Sequence, residues 1–343
     1  MNKIVYPPSV VLELTYRCNH QCLFCSCPWD APNSAYPKGI ELSVNQWKDA
    51  VSKLYSLGIQ SFSLSGGEVL LKKGFEDIII HIRKEGLKRG INNQIFLISN
   101  GLAMKEEYLQ LFKKNNVHLS MSLPGLNTFE EHTKVNNVEG VLYWFERAHE
   151  IGLETTVNVT VTKKNYNELY ETVSEGLLSG ATSVLVNRFL PGGRGLAYME
   201  ELMLSKDQIN GMLDTVEEIL SLSGRHGNLG TEVAYCSIKH PNKYKHLSIG
   251  YQCAAAKGFF VVDPSGQIRT CNHSPHIVGH ILKDTIINDD EYWFKFANRD
   301  YQPTICKHCL HNIKCDCGCR EVSNILNGAP DKVDDSIIHS LQI

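Results

Sequence analysis

Apolar positions recur along this chain with two different periods. Short runs that are apolar throughout or alternate apolar with polar fall at 10–15 (VVLELT), 61–65 (SFSLS), 94–99 (QIFLIS), 117–122 (VHLSMS), 155–161 (TTVNVTV) and 183–189 (SVLVNRF). Runs of that length and pattern specify strands. Between them, 43–57, 74–89, 128–151 and 165–179 carry apolar residues at helical spacing, with Ser43 and Thr128 placed as N-caps. Six strands alternating with helices predict an α/β fold: a parallel sheet with crossovers, open or curled into a partial (β/α)6 barrel. In either form the carboxyl ends of the strands share one face, and sites form there. After about residue 225 the pattern breaks into short strands and loops. GFFVVDPSGQIRTC (258–271) reads as a hairpin turning at Asp263-Pro264-Ser265-Gly266. The expected division is 1–230 and 231–343, with no internal repeat in either part.

A chain of 343 residues suits about two domains. Its 34 basic and 37 acidic side chains nearly cancel and form no block of one sign, so neither nucleic acid nor a membrane surface is the expected partner. The N-terminal MNKIVYPPSVVLEL is too weakly apolar for a signal peptide, and no stretch approaches the roughly 20 apolar residues of a membrane span. The sequence therefore reads as cytoplasmic, and a small molecule or a peptide is the expected partner.

That reading decides what the twelve cysteines mean, because a reducing compartment favours metal-binding or catalytic thiols over disulfides. Cys18, Cys22, Cys25 and Cys27 cluster directly after the first strand; the other eight lie between 236 and 319, and 208 residues without cysteine separate the two groups. Two metal-bearing regions joined by a scaffold are expected.

Cys18-x3-Cys22-x2-Cys25 supplies three thiolates, one fewer than a closed site needs, which leaves a metal position open. With Phe24 before the third cysteine, this motif resembles the radical S-adenosylmethionine (SAM) superfamily; a zinc knuckle, which favours paired C-x2-C hooks, is the alternative. The resemblance implies a [4Fe–4S] cluster on Cys18, Cys22 and Cys25 whose open iron chelates S-adenosylmethionine. It also implies that Gly66, Gly67 and Glu68, in SGGEVLL, meet the methionyl amino group. Ser99 and Asn100 after strand three, Ser122 after strand four, and Asn158 and Thr160 on strand five would hold the ribose and carboxylate. Arg188 would meet an anion or the adenine, or make a surface salt bridge. Where the family often has Ser-Leu-Asp-Gly, this chain reads Ser122-Leu123-Pro124-Gly125.

In the last third, Cys253-x12-Gly266-x4-Cys271 and Cys306-x2-Cys309-x5-Cys315-x3-Cys319 resemble the SPASM extension of peptide-modifying radical SAM enzymes. That likeness implies one or two auxiliary iron–sulfur clusters: Cys253, Cys271 and Cys319 on the first, Cys306, Cys309 and Cys315 on the second. A zinc ribbon is the alternative. The extension's last cysteine is missing from GAPDKVDDSIIHS, so the second cluster takes Cys317 or Asp316 as its nearest fourth ligand, is open to substrate, or is absent; the first lacks a fourth ligand unless Cys236 provides it.

Within this group, ELTYRCNHQCLFCSCPWD is most similar to the enzymes that cross-link the pyrroloquinoline quinone precursor peptide. The resemblance thus implies oxidative carbon–carbon or carbon–heteroatom cross-linking of a ribosomally made peptide, with an external flavodoxin- or ferredoxin-type electron donor. Peptide epimerisation, with Cys236 or Cys27 as hydrogen donor, is the runner-up. A tetrapyrrole substrate, suggested by RFLPGGRG, and a zinc-stabilised binding module are the others. With its motif starting at residue 18, the chain is expected to lack an N-terminal peptide-binding wing and to rely on a separate recognition protein or the mouth of the barrel.

Overall fold

The computed structural model describes residues 4–334. All six expected strands form: β1 (Ser9–Glu13), β2 (Ser61–Ser65), β3 (Ile95–Ser99), β4 (Val117–Ser122), β5 (Thr155–Val161) and β6 (Ser183–Arg188), each parallel to the next. Their inward residues, among them Leu12, Leu64, Leu97, Leu119, Val159 and Val186, are buried in one continuous core. The crossovers include α1 (Val44–Ser56), α2 (Phe75–Lys88), α3 (Glu106–Lys114), α4 (Phe129–Thr133), α5 (Val138–Glu150) and α6 (Leu169–Leu178).

Ser43 caps α1 as expected: its hydroxyl accepts from the Gln46 amide while the Gln46 side chain reaches back to the Ser43 amide. The expected helix over 128–151 is instead two. Lys134 turns left-handed (φ 62°) and ends α4, and Thr128 caps nothing, because its hydroxyl donates to Glu168 Oε1. The packing partner of residue 128 lies forty positions away, so helical periodicity alone does not reveal the break.

The sheet continues past the six strands on both sides. After α7 (Met199–Leu202) and α8 (Lys206–Ser223), the three-residue strands β7 (Gly227–Leu229) and β8 (Leu247–Ile249) extend it beyond β6. On the other side β9 (Phe259–Val262) pairs parallel to β1, and β10 (Gln267–Arg269) and β11 (Ile277–His280) follow antiparallel. The order β11-β10-β9-β1-β2-β3-β4-β5-β6-β7-β8 is open, so the sheet does not close on itself. The β9–β10 hairpin turns where expected: Asp263 Oδ1 accepts from the Ser265 and Gln267 amides, both at 2.9 Å, and Gly266 supplies φ 92°. Helices α9 (Asp290–Ala297) and α10 (Arg320–Asn327) complete the described chain, with Trp293 packed edge-on against Phe260 and Tyr6.

Candidate active site

The carboxyl ends of β1 to β6 open onto a single cavity of about 440 Å3. Its wall brings together Cys18, Cys22 and Cys25, the loop Gly66-Gly67-Glu68, Ser99 and Asn100, Ser122, Asn158 and Thr160, and Arg188. Cys253, Cys271 and Cys319 line the same cavity from the C-terminal side. Cys236, Cys306, Cys309, Cys315 and Cys317 are not part of its lining.

The cysteine loop is fastened at both ends. Gln21 and Leu23 amides donate to Thr133 and His132 carbonyls at 2.9 and 2.8 Å, which fixes the loop against the end of α4. Gly67 and Glu68 amides donate to Thr15 and Arg17 carbonyls, both at 2.8 Å, and a Cβ on Gly67 would lie 2.3 Å from the Arg17 oxygen. The two glycines therefore let the β2 loop lie directly on the cysteine loop. From the far side Gly193, at φ +49°, fits against the Cys25 and Cys27 carbonyls, and Gly192 leaves room for the His273 ring. The glycines of RFLPGGRG thus have a packing reason.

Backbone amides are aimed at three of the thiols. The His20 amide points at Cys18 Sγ from 3.4 Å, the His311 amide at Cys309 Sγ from 3.4 Å, and the Cys317 amide at Cys315 Sγ from 3.3 Å. Amide donors of this kind favour sulfur that carries charge, as a metal-bound thiolate does. Burial pushes the Cys18 thiol up to about 11 and raises Cys22 further, so metal loading must displace their protons.

Glu68 is only 1 % exposed, and its carboxylate is fully engaged by the protein. Oε1 accepts from the Leu70 amide at 3.0 Å and the Ser99 hydroxyl at 2.9 Å; Oε2 accepts from the Asn100 amide at 2.8 Å. It ties the end of β2 to the end of β3, a structural role beside the ligand contact that the resemblance implies. Burial raises its pKa against those three bonds. Glu68→Ala should lower stability by about 2–3 kcal/mol, since hydrogen bonds to a charged group contribute roughly 1.5–3 kcal/mol each and part is recovered by relaxation. Urea unfolding checks this; Glu68→Gln, which keeps the Ser99 contact, should lose less.

Arg188 makes a salt bridge, but a buried one and not the surface pair that was the expected alternative. It is buried, with Nη2 2.9 Å from Asp334 Oδ2 and 3.0 Å from the Glu232 carbonyl. Asp334 Oδ2 also accepts from the Cys319 amide at 3.0 Å, so the end of β6 is bonded to the backbone of a cavity-lining cysteine. Asn100 reaches Asn19 Oδ1 at 2.7 Å, and Asn158 Oδ1 accepts from Asn187 at 2.9 Å.

The C-terminal thiols form two groups. Cys253, Cys271 and Cys319 are buried; burial first, then Glu232 or Glu321, and then a neighbouring thiol of the group raise the pKa of Cys253 and Cys271. Asp316, an expected ligand, is saturated: Arg299 and Lys257, the Tyr301 hydroxyl and the Cys253 amide at 2.8 Å all donate to it. It is a structural hub and has no oxygen to spare for iron. Cys236 was expected beside Cys253, Cys271 and Cys319; its charged neighbours are instead Cys315, Cys306 and Cys309.

Residues 12–175 match the Radical SAM superfamily. This chain carries a radical SAM domain. Similar curated proteins include the PqqA peptide cyclase of Granulibacter bethesdensis, 24 % identical across 97 % of this chain and 88 % of that protein. Another is the sporulation killing factor maturation protein SkfB of Bacillus subtilis, 23 % identical across 82 % of this chain and 64 % of its own length. Among solved structures, Streptococcus suis SuiB bound to its precursor peptide SuiA superposes with TM-score 0.74 at 17 % identity, covering 98 % of this chain and 76 % of that one. Native anSMEcpe with bound AdoMet gives 0.67 at 18 %, covering 92 % of this chain and 90 % of that one. These likenesses show the α/β fold. A radical SAM domain takes a [4Fe–4S] cluster and S-adenosylmethionine.

Three features of the radical SAM site escape sequence reasoning. Glu13, at the end of β1, pairs with Arg269 on β10, and both are buried. Arg269 Nη1 also holds the Asn272 and Ser274 carbonyls at 3.0 and 2.9 Å, setting the loop that carries Cys271. Glu232 and Glu321, whose carboxyls burial pushes up, line the cavity among the C-terminal cysteines. The only available signal was an acid inside VVLELT, an otherwise apolar strand. His132, fully buried under the cysteine loop, has Nδ1 2.9 Å from the Thr128 carbonyl and Nε2 2.9 Å from the Thr162 hydroxyl. A carbonyl only accepts, so Nδ1 bears a proton.

Burial lowers the His132 pKa. The unfolded imidazole takes up a proton near about 6.5 and the folded one only at lower pH, so the unfolded state binds more protons in between and stability falls as pH drops through that window. The urea midpoint should decrease from about pH 7 to about pH 5, less steeply in His132→Gln.

Proposed function

We propose that this protein is a radical SAM enzyme that oxidatively modifies a ribosomally synthesised precursor peptide, forming a carbon–carbon or carbon–heteroatom cross-link. The observation that carries the reading is the shared cavity: Cys18, Cys22 and Cys25 face Cys253, Cys271 and Cys319 across one space of about 440 Å3. The relatives named a peptide cyclase and a peptide maturation protein, and the neighbour bound to a precursor peptide, support the peptide substrate.

When bound at Cys18, Cys22 and Cys25, the cluster and S-adenosylmethionine supply a carbon radical able to take hydrogen from an unactivated C–H bond. The chain's part is to hold and orient. Ser122, Asn158 and Thr160, on the strand ends, line the cavity with hydroxyls and an amide for the cofactor's polar groups, while Ser99 and the Asn100 main chain hold Glu68. Gly66 and Gly67 bring main chain close enough for contact, while Glu68 fixes their loop and Arg188 fixes the end of β6. Auxiliary clusters held by the C-terminal thiols would accept the second electron, in a unit spanning 231–343. An external flavodoxin- or ferredoxin-type donor, a separate peptide-recognition protein and a cytoplasmic setting complete the proposal. No helix of the described residues is long and apolar enough to cross a membrane.

One observation favours a second reading, peptide epimerisation. Cys27 is a spare thiol on the cavity wall, 3.9 Å from the Gly66 carbonyl, with its pKa raised by its bond to Cys25 and by burial. A thiol kept protonated there could return hydrogen to a peptide radical; Cys236 lies off the cavity. Anaerobic turnover with a candidate precursor peptide, sought among short reading frames beside the gene, separates the two. Loss of two hydrogens marks a cross-link, an unchanged mass with solvent deuterium at a Cα marks epimerisation, and no change in the peptide defeats both.

A further inference from the structure

We propose that Cys236 joins Cys306, Cys309 and Cys315 as the fourth thiolate of the second auxiliary cluster. The inference rests on the reading of the 306–319 thiols as iron–sulfur ligands.

Cys236 sits in the turn Tyr235–Ser237, in sequence far from those cysteines but in space against them. The Tyr235 amide donates to Cys315 Sγ at 3.3 Å, joining the Cys317 amide on the same sulfur. The Tyr235 ring lies on His311, centroids 4.2 Å apart, and on Tyr251 at 5.1 Å; the Tyr251 carbonyl in turn accepts from the Asp316 amide at 2.9 Å. The turn is fixed from behind as well. Asn210 of α8 donates to the Ser237 carbonyl at 2.9 Å, and the Ser237 hydroxyl to the Ala234 carbonyl at 2.6 Å. The thiols of Cys315, Cys306 and Cys309 are the groups whose charge acts on Cys236.

Two other donors compete. Asp316 is saturated by Arg299, Lys257, Tyr301 and Cys253. Cys317 is buried at φ 59°, its thiol bonded to Cys306 and its carbonyl held by Arg320, and it is the rival that the Cys317→Ala variant tests. Cys236 is exposed, like Cys309, and the charge of Cys315, Cys306 and Cys309 acts on it. Together they make a four-thiolate set from a turn and a C-x2-C-x5-C loop.

The test uses the full chain with Cys18, Cys22 and Cys25 changed to Ala, purified anaerobically so that only auxiliary iron remains. Cys236→Ala should remove about four iron atoms per chain and one electron paramagnetic resonance signal of the reduced protein, while Cys317→Ala keeps both. Cys236→Ser, which offers oxygen, should retain part of the iron with a shifted signal. If Cys236→Ala would disturb folding by circular dichroism, the serine variant decides, and an unshifted signal there overturns the inference. Full iron in Cys236→Ala alongside loss in Cys306→Ala shows that the cluster exists and that Cys236 is not its ligand. Full iron in Cys306→Ala and Cys309→Ala as well removes the second cluster and the inference together.

Discussion

A chain with Cys18, Cys22 and Cys25 all changed to Ala will form no 5′-deoxyadenosine from S-adenosylmethionine, yet will keep the iron bound by its C-terminal cysteines. The two thiol sets share a cavity but not a support. The N-terminal loop hangs on Thr133, His132 and the Gly67–Glu68 main chain, whereas the Cys253 and Cys319 amides hang on Asp316 and Asp334. Removing three thiols from the first loop leaves every one of the second set's fastenings in place, and metal bound there still contributes to folding. Iron and sulfide analysis beside a cleavage assay gives the answer. A folded variant stripped of all iron would show that the two regions load as one.

The second large effect concerns stability. Arg269→Met should destabilise the protein by about 3–5 kcal/mol, the usual consequence of leaving a buried charge without its partner. Among the described residues Glu13 pairs with no other cation: besides Arg269 it accepts from Asn272, at 3.3 Å. The guanidinium also lies 5.7 Å from the Trp29 and Tyr36 ring centroids, so its removal loosens their packing. Against a total of roughly 5–15 kcal/mol this is a large fraction. The double variant Glu13→Gln, Arg269→Met should recover part of the loss, because no buried charge then remains. Equal costs for the single and double variants would mean that packing, not the ion pair, supports the site. The loop of Cys271 hangs from the same guanidinium, so iron content should fall with stability.

Local pattern carried much of this fold. The six strands and the turn at Asp263–Gly266 follow from short apolar runs and turn chemistry, and Cys18, Cys22 and Cys25 stand out because three cysteines follow a strand at fixed spacing. Pairing across long separations was not legible. Nothing in FFVV announces that β9 lies beside β1, about 250 residues earlier, and β7 and β8, at three residues each, are too short to show a period. The break after Thr133 and the saturation of Asp316 depend on partners distant in sequence. The same holds for Cys236: its spacing marked it as a spare, and only the fold sets it among Cys306, Cys309 and Cys315.

The position of β1 constrains how such a protein can be altered over evolution. Val10 faces Phe62 of β2 on one side and Phe260 of β9 on the other, so the first strand of the radical SAM domain is interior to the sheet only because a strand from the far end of the chain covers it. A protein ending near residue 230 would present that strand's unpaired main-chain groups and a lone buried carboxylate to its neighbours, a template for aggregation. The cysteine-rich half is therefore not a cassette that can be gained or lost freely. Any recombination that exchanges it among relatives must bring a hairpin in the same register, with an arginine at its tenth-strand position, or the recipient will not stay soluble.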